Sequence, residues 1–288
     1  MYDIGSIIGS DGTTLLKMWN VFVQPGKHEM RKHNHIYFEL TYVESGNGVY
    51  TVGNEEHKIE KGSIFVFASN EYHCITDVGE NGLTLLNLHF EPKYLWGNSL
   101  DSLSEESINI CFSHNKSFKN CISPDDSTEL SELLIKIKEE LSNKKKEYQL
   151  SIKSLVNFIL IKLIRDFDYA EKNRPLSRDR LNSIRKGIKY IDNHLCEKIS
   201  LEMLGKAVGI SPNYFCTLFH NISGITVWDY INSKRIDKAA YLLHTEEMNI
   251  LDIALACGFN NTTNFNKVFK KYTGMTPSKY KNCEDIIF

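Results

Sequence analysis

The chain has 288 residues, of which 42% are hydrophobic and 24% are charged, as is typical of a soluble protein with ordinary buried cores. No apolar run approaches the roughly 18 residues that span a membrane, and the N-terminus lacks the features of a secretory signal, so we expect a cytoplasmic protein without a membrane partner. The net charge of −2 hides an asymmetry: residues 1–125 carry 9 basic and 16 acidic side chains, and residues 178–281 carry 15 and 9, so only the second half would attract a polyanion.

Residues 15–92 have the composition of short β-strands. The runs rich in Val, Ile, Thr, Phe and Tyr are WNVFVQP, FELTYVES, GVYTVGN, SIFVFA and LTLLNLHF. Turn signals separate them, including Pro25-Gly26, residues 45–48, Gly79 and Gly82. Strands at this spacing predict an all-β barrel or double-sheet roll, and residues 1–125 are assigned to this domain. Within it, residues 93–125 are interpreted as mixed helix and loop.

Residues 126–169 change to a helical period. The two apolar stripes consist of Leu130, Leu133, Leu134, Ile137 and Leu141, and then of Leu155, Ile159, Leu163 and Phe167. The second predicted helix is apolar on more than one face, which favours packing against another subunit and hence a homodimer. The alternative is that both helices only cover the barrel of their own chain.

Residues 170–180 are polar, contain a proline and are interpreted as a linker, and residues 181–288 are predicted to be all-α. This last part contains one pattern twice, from Ile199 to Ile231 and from Asn249 to Tyr280. The repeated residues, 50 positions apart, are Phe215, Phe219, Gly224, Thr226 and Tyr230, then Phe265, Phe269, Gly274, Thr276 and Tyr280. Two tandem helix-turn-helix motifs explain this repeat.

The local signals of each motif agree with this interpretation. Gly209 and Gly258 stand where the turn needs left-handed backbone. Ser200 and Ser211 are N-cap candidates in the first motif, and Pro212 suits the first position of its second helix. In the second motif Asn260 or Asn261 caps the corresponding helix, and Thr276-Pro277 opens a last short one. A long helix from Thr226 to about Leu243 would hold the two motifs roughly 34 Å apart, one turn of DNA.

The second helix of each motif has a polar outer face that suits the major groove. Asn pairs with adenine, Lys reaches guanine or phosphate, and a Thr methyl contacts a thymine methyl. The predicted DNA-binding residues are Asn213, Cys216, Thr217 and His220 in the first motif and Thr262, Thr263, Asn266, Lys267, Lys270 and Lys271 in the second. The alternative, a helical packing domain without nucleic acid, does not explain two motifs in register with a basic outer face.

The string IALACGFNNTTNFNKVFKKYTGMTPSKY resembles the signature of the AraC/XylS family of bacterial transcription regulators. The resemblance covers residues 181–281 as the DNA-binding domain and residues 15–92 as the cupin-like sensor domain (a double-stranded β-helix) common in that family. It implies double-stranded DNA and a small-molecule effector as partners, with RNA polymerase as a further one. The family often has Arg where this chain has Thr217, and Lys near His220 and Asn221. We therefore expect the first helix-turn-helix motif to bind DNA more weakly than is usual in the family.

The string His33-Asn-His35-Ile-Tyr-Phe-Glu39, together with His73, resembles the HxH…E…H set of metal-binding cupins. Imidazoles and a carboxylate are suitable ligands for Zn, Fe or Mn, and positions 33, 35 and 39 share one strand face. Sensor cupins of the family usually keep this string without a metal, as polar lining, so we expect no metal and no cofactor. His33, His35, Glu39 and His73 remain the candidates if a metal binds.

The sequence therefore predicts a ligand-responsive, sequence-specific transcription regulator and not an enzyme. A barrel lined by His, Glu, Tyr and Trp suits a small polar effector such as a sugar. The candidate effector-binding residues are Arg31, His33, His35, Glu39, His73, His89 and Trp96. Two alternatives stay open: a constitutive regulator whose barrel only dimerises, and a metal-dependent cupin enzyme fused to a DNA-binding module.

Overall fold

A computed structural model describes residues 2–9, 13–28, 35–69, 71–96, 114, 117–169 and 178–282, without the side chains of Lys93, Trp96 and Arg178. The chain forms two compact units, Met1–Gly9 with Thr14–Pro175, and Ser10–Thr13 with Leu176–Phe288. Among the described residues, no helix combines the length and apolar character that a membrane crossing requires.

The first unit is built on an antiparallel sheet of eight strands in its described part. The strands are β1 Tyr2–Ile8, β2 Thr14–Val23, β3 Gly26–Lys27, β4 Phe38–Val52, β5 Glu55–Glu60, β6 Ile64–Phe67, β7 His73–Phe90 and β8 Cys121–Ile122. Their order is β1-β2-β7-β4-β6-β8, with β3 paired to β7 and β5 to β4. A short 3-10 helix, Pro92–Trp96, follows β7, so residues 92–96 and 121–122 are regular elements within the segment predicted as mixed helix and loop.

Three predicted turns were wrong, because residues 45–48 lie inside β4 and Gly79 and Gly82 lie inside β7. Bulges at Val43/Ser45 and Gly46/Gly48 bend β4 without ending it. A Cβ on Gly46 would lie 2.0 Å from the Gly82 carbonyl oxygen, and one on Gly79 would lie 1.9 Å from Asn47 Oδ1. The glycines here allow two long strands to approach closely, and they do not reverse the chain.

The two faces of the sheet have different partners. Leu40 and Leu88 belong to one core with the helices α1 Thr128–Asn143 and α2 Tyr148–Asp166. The opposite face carries a second core that includes Val43, Phe67 and Leu85. Because side chains alternate along a strand, Glu39 and His89 share the face of the second core and lie opposite each other in the register of β4 and β7.

The second unit consists of seven helices in the residues described. They are α3 Arg178–Asn193, α4 Leu201–Val208, α5 Pro212–Ser223, α6 Val227–Thr245, α7 Ile250–Ala256, α8 Thr262–Thr273 and α9 Pro277–Lys281. The predicted N-caps are confirmed at Ser200, Ser211, Asn261 and Thr276, where each side-chain oxygen accepts a hydrogen bond from a backbone N–H three residues later. Gly209 and Gly258 both have a φ of 82°, as the predicted turns require.

Phenylalanines in equivalent positions form the apolar centres of the two motifs. Phe215 and Phe219 on α5 are fully buried, and so are Phe265 and Phe269 on α8. The ring centroids lie 5.9 Å apart in the first pair and 5.5 Å apart in the second. These anchors fix which side of α5 and of α8 faces outward, and that side carries the candidate DNA-binding residues.

Candidate nucleic-acid interface and effector site

The outer face of α5 is polar but carries few charges. Asn213, Thr217 and His220 are exposed, whereas Cys216 is half-buried and burial raises its thiol pKa. The hydroxyl of Thr217 donates a hydrogen bond to the backbone oxygen of Asn213 at 3.0 Å, which leaves its methyl group and oxygen lone pairs for a partner. Tyr214, which the sequence analysis overlooked, is 44% exposed next to this face.

The outer face of α8 is more basic. Thr263, Asn266, Lys267, Lys270 and Lys271 are all exposed, and Thr262 is half-buried at the start of the helix. The three ammonium groups occupy the positions that Thr217, His220 and Asn221 occupy in α5. Asn264, the equivalent of Tyr214, is also exposed and was also overlooked. The two copies therefore share a scaffold and differ in charge.

One of the three lysines on α8 is already paired. Lys271 Nζ lies 2.9 Å from Asp229 Oδ1 at the start of α6, and the Tyr272 hydroxyl donates to the Asp229 backbone oxygen at 3.0 Å. Burial would raise the pKa of Asp229, but hydrogen bonds from Thr226 and Lys271 lower it below the usual value. Lys267 and Lys270 have no ion pair among the described residues.

In the first unit a buried carboxylate collects three imidazoles. Glu39 Oε2 lies 2.7 Å from His35 Nε2, 2.9 Å from His89 Nε2 and 3.3 Å from His73 Nε2. Thr41 donates a hydrogen bond to Glu39 Oε1 at 2.6 Å. We call these residues, His35, Glu39, Thr41, His73 and His89, the polar cluster. It brings together four of the seven predicted effector-binding residues.

Burial and neighbouring groups shift the pKa values of Glu39 and His89 in the polar cluster. Burial would raise the pKa of Glu39, but His89, His73 and the hydrogen bond from His35 outweigh burial and hold that pKa well below its usual value. Burial lowers the pKa of His89 to about 4, although Glu39 opposes this shift. Near neutral pH the cluster is therefore a carboxylate faced by a neutral His89, which can bind a cation or a ligand hydroxyl.

Aromatic rings enclose the polar cluster. The Phe67 ring stacks on His73 at 4.0 Å between centroids, Tyr37 stacks on His89 at 5.7 Å, and Trp19 meets the edge of His89 at 4.5 Å. The Trp19 indole N–H is buried and has no hydrogen-bond partner among the described residues. A buried donor without a partner calls for an explanation, and a polar molecule bound beside the polar cluster would supply the acceptor. Sequence reasoning missed Trp19 because only the register of β2 against β7 brings it there.

Three predicted effector-binding residues have no described side chain. Arg31 and His33 lie outside the described residues, and Trp96 ends the 3-10 helix with only its backbone described. For the metal hypothesis, the candidate His33 lies outside the described residues, and among the described ones His35, Glu39 and His89 place ligand atoms within 4.8 Å of one another. Imidazole and carboxylate donors of this kind fit a divalent transition metal.

A unit with two exposed recognition helices and a β-rich unit with a buried polar cluster define a transcription regulator with a sensor domain. Comparison with known proteins agrees. Residues 204–282 match the family described as a helix-turn-helix domain, and residues 23–157 match the AraC-like ligand binding domain. The chain belongs to the AraC family of DNA-binding transcription regulators, and its β-rich unit is the cupin-like ligand-binding domain of that family.

Individual relatives are distant but cover nearly the whole chain. The transcriptional activator RhaR of Enterobacter sp. (strain 638) is 24% identical over 87% of this chain and 86% of its own length, and RhaR of Salmonella dublin is 25% identical over 88% of each. The crystal structure of ToxT from Vibrio cholerae superposes with a TM-score of 0.61 at 16% identity, covering 93% of this chain and 98% of that one. A wild-type ToxT with a bound unsaturated fatty acid gives a TM-score of 0.58 at 15% identity, with coverage of 93% and 94%. At these identities the ToxT likeness shows the fold alone.

Proposed function

We propose that the chain is a cytoplasmic, effector-responsive activator of transcription that binds DNA as a homodimer and contacts RNA polymerase there. The activating role rests on the printed name of the RhaR relatives. The cytoplasmic location follows from the need to reach chromosomal DNA. A reporter gene is placed next to a DNA site obtained by random-site selection with this protein. Its expression should rise when both protein and effector are present, whereas a fall in expression would make the chain a repressor.

The outer face of α8 supplies most of the DNA-binding energy. The support is its exposed Asn266, Lys267 and Lys270, set against the uncharged Thr217 and half-buried Cys216 on α5. Removing a side chain that reads a base costs roughly 1–3 kcal/mol. Lys267→Ala should therefore weaken specific binding more than Thr217→Ala in a fluorescence anisotropy titration, with Lys206→Ala on α4 as the control. Equal losses in the two recognition helices would contradict this asymmetry.

The effector binds at the polar cluster and is a small polar molecule such as a sugar. The single observation that carries this proposal is the buried Glu39, which faces three imidazoles beside the indole N–H of Trp19, a donor without a partner in the described part of the chain. Hydroxyl groups can donate to the carboxylate and accept from the indole, and the aromatic rings can stack on a sugar ring.

Thermal-shift screening of the full chain tests the effector, because a ligand that binds the native state raises its melting temperature. The panel contains sugars, and an unsaturated fatty acid is included because ToxT holds one. We expect a sugar to give a shift that Trp19→Phe reduces and that a control variant, His57→Asn on β5, leaves unchanged. A shift with the fatty acid alone would refute the polar class of effector. No shift with any compound would favour the constitutive regulator.

Metal analysis addresses the remaining alternative, a cupin enzyme joined to a DNA-binding module. If protein purified without added metal contains stoichiometric Zn, Fe or Mn that His89→Ala removes, the polar cluster is a metal site and the apo sensor is wrong. Chemistry on a substrate would need activity in addition to the metal. The RhaR relatives are transcriptional activators, which favours the sensor.

The homodimer forms through the outer face of α2. Leu150, Phe158 and Ile161 recur at helical spacing and are 62%, 51% and 38% exposed. On α1, Ile135 is 41% exposed as well. Fully burying one such side chain contributes about 1.5–3 kcal/mol, so a stripe of this kind is costly to leave in water.

Light scattering coupled to gel filtration tests the dimer. Phe158→Glu should convert the full chain to a monomer, because it would place a charge within an apolar interface. Ser154→Glu lies on the same stripe and should also weaken the dimer, while Glu139→Gln on an exposed part of α1 should not. A wild-type chain that is monomeric, or a Phe158→Glu dimer, would refute this interface.

A further inference from the structure

The long helix α6 is shared between the two helix-turn-helix motifs, which we call the two readers after their recognition helices α5 and α8. Near its start, the Tyr230 ring lies 5.5 Å from Phe219 of the first motif. Further along, Ile236, Ala239 and Leu243 belong to the core of the second motif. Between these two apolar stretches, Ser233, Lys234 and Arg235 are buried although they are polar. The junction between the readers is therefore a polar section of one helix.

Arg235 binds the first half of the domain from this section. Its Nε donates to the Leu195 backbone oxygen and its Nη2 donates to the Glu197 backbone oxygen, both at 2.8 Å. Leu195 and Glu197 lie in the segment between α3 and α4, so they belong to the first motif and its supporting helix. Lys234 adds a longer contact of 3.7 Å to Asp192 on α3.

The same guanidinium contacts the second half. Its Cζ lies 5.8 Å from the Phe259 ring centroid, directly after the turn of the second motif. A Cβ on Gly258 would come within 3.0 Å of that Cζ and within 2.9 Å of the Leu195 backbone oxygen. The end of α3, the middle of α6 and the turn of the second motif therefore meet at Arg235.

We propose that Arg235 sets the position of the two readers relative to each other. It thereby sets the spacing between the two short stretches of base pairs, called boxes, that the readers recognise. Apolar packing has no preferred direction, whereas a planar guanidinium holds its hydrogen-bond acceptors at fixed angles. If one reader shifted relative to the other, the carbonyl oxygens would move away and leave a buried charge unpaired, which is costly. The exposed salt bridge between Asp229 and Lys271 adds a weaker contact between the second recognition helix and the start of α6.

This register has a measurable consequence on DNA. One added base pair moves the second box by about 3.4 Å and turns it by roughly a tenth of a helical turn. A rigid pair of readers cannot follow both changes. The full chain should therefore bind a selected two-box site at least about tenfold less tightly when one base pair is added or removed between the boxes, since several base contacts are lost.

The test compares spacing discrimination in matched variants of the full chain. Random-site selection with the wild type supplies the site, and anisotropy titrations measure affinity at native, shortened and lengthened spacing. Arg235→Met removes both the charge and the hydrogen bonds, and Arg235→Lys keeps the charge without the planar fork. We expect both variants to lose less than about threefold in affinity when the spacing is altered, because each reader can then shift to meet its own box. Lys206→Met, on the exposed side of α4, should discriminate like the wild type.

Melting curves show which variants are folded. If Arg235→Met does not fold, the spacing discrimination of Arg235→Lys alone tests the proposal. A site with only the box read by α8 serves as a control that a register change leaves unaffected. Wild-type spacing discrimination in a folded Arg235→Lys variant would overturn the proposal. So would a wild type that is indifferent to spacing, or equal relaxation in Lys206→Met. The inference rests on the assignment of the reading faces, which fails separately if Lys267→Ala leaves base preference and affinity unchanged.

Discussion

The salt dependence of DNA binding gives the sharpest check on the two reading faces. Each phosphate that a lysine neutralises contributes about 0.9 to the slope of log K against log salt for duplex DNA. Lys267 and Lys270 are exposed, whereas Lys271 is held by Asp229 at 2.9 Å. Lys270→Ala should therefore reduce the slope by about 0.9, which corresponds to a change of about 3.5-fold in relative affinity over a fourfold range of salt.

Anisotropy titrations at several salt concentrations between roughly 50 and 200 mM measure this slope. Lys271→Ala should change it less than Lys270→Ala, because Asp229 already compensates part of the Lys271 charge. Lys206→Ala on α4 provides a charge-matched control away from the recognition helices. If all three variants lower the slope equally, the lysines act through net charge alone and the assigned interface is wrong.

Three further predictions concern the scaffold and the polar cluster. Ser211→Ala removes the N-cap of α5 and should lower the free energy of unfolding of the DNA-binding unit by about 1 kcal/mol in urea titrations; an unchanged midpoint would show that this cap is dispensable. Gly46→Ala places alanine at a φ of 88° and makes its Cβ overlap with the Gly82 carbonyl oxygen, so it should lower the free energy of unfolding of the sensor unit by more than about 3 kcal/mol. The control Gly53→Ala, at a φ of 58° with nothing within 4 Å of its Cβ, should lower it by only about 1–2 kcal/mol. Finally, the pKa of His89 is about 4 in the folded chain and near 6.5 in the unfolded chain. Between these pH values the unfolded state binds more protons than the folded state. The free energy of unfolding therefore falls as the pH drops from 6.5 to 4, by up to about 3 kcal/mol. In chelator-treated protein His89→Gln should flatten that part of the melting-temperature profile, and a profile parallel to the wild type would contradict the assigned shift.

Much of the DNA-binding unit could be predicted because its signals are local. The N-cap bonds of Ser200, Ser211 and Asn261 each join residues three positions apart, and the glycine turns depend on one φ angle. A helix satisfies its hydrogen bonds within four residues, so the sequence of a short segment carries the information. The exposed outer faces of α5 and α8 followed from the same periodicity.

The strands were harder to predict because their partners are distant. β5, with the sequence EEHKIE, has one buried residue and no apolar run, and pairing with β4 makes it a strand. The glycines at 46, 79 and 82 carry the usual signal of a turn. Gly46 and Gly79 instead lie where the paired strands β4 and β7 approach closely, and Gly82 lies against Phe22 of β2. A sequence pattern cannot separate these two uses of glycine, since the neighbouring strands that decide between them are more than thirty residues away.

The sequence by itself determined the two helix-turn-helix motifs, their caps, their outward residues and the family resemblance, because each rests on interactions within one or two helical turns. Only the tertiary structure decided which residues form the polar cluster. Glu39 meets His89 through the register of β4 against β7, and Trp19 arrives through the register of β2 against β7. Tertiary structure likewise brought Arg235 against Leu195 and Phe259, forty and twenty-four positions away in the chain. In each case contacts between remote segments, which depend on the packing of the whole unit, determine which polar groups become neighbours.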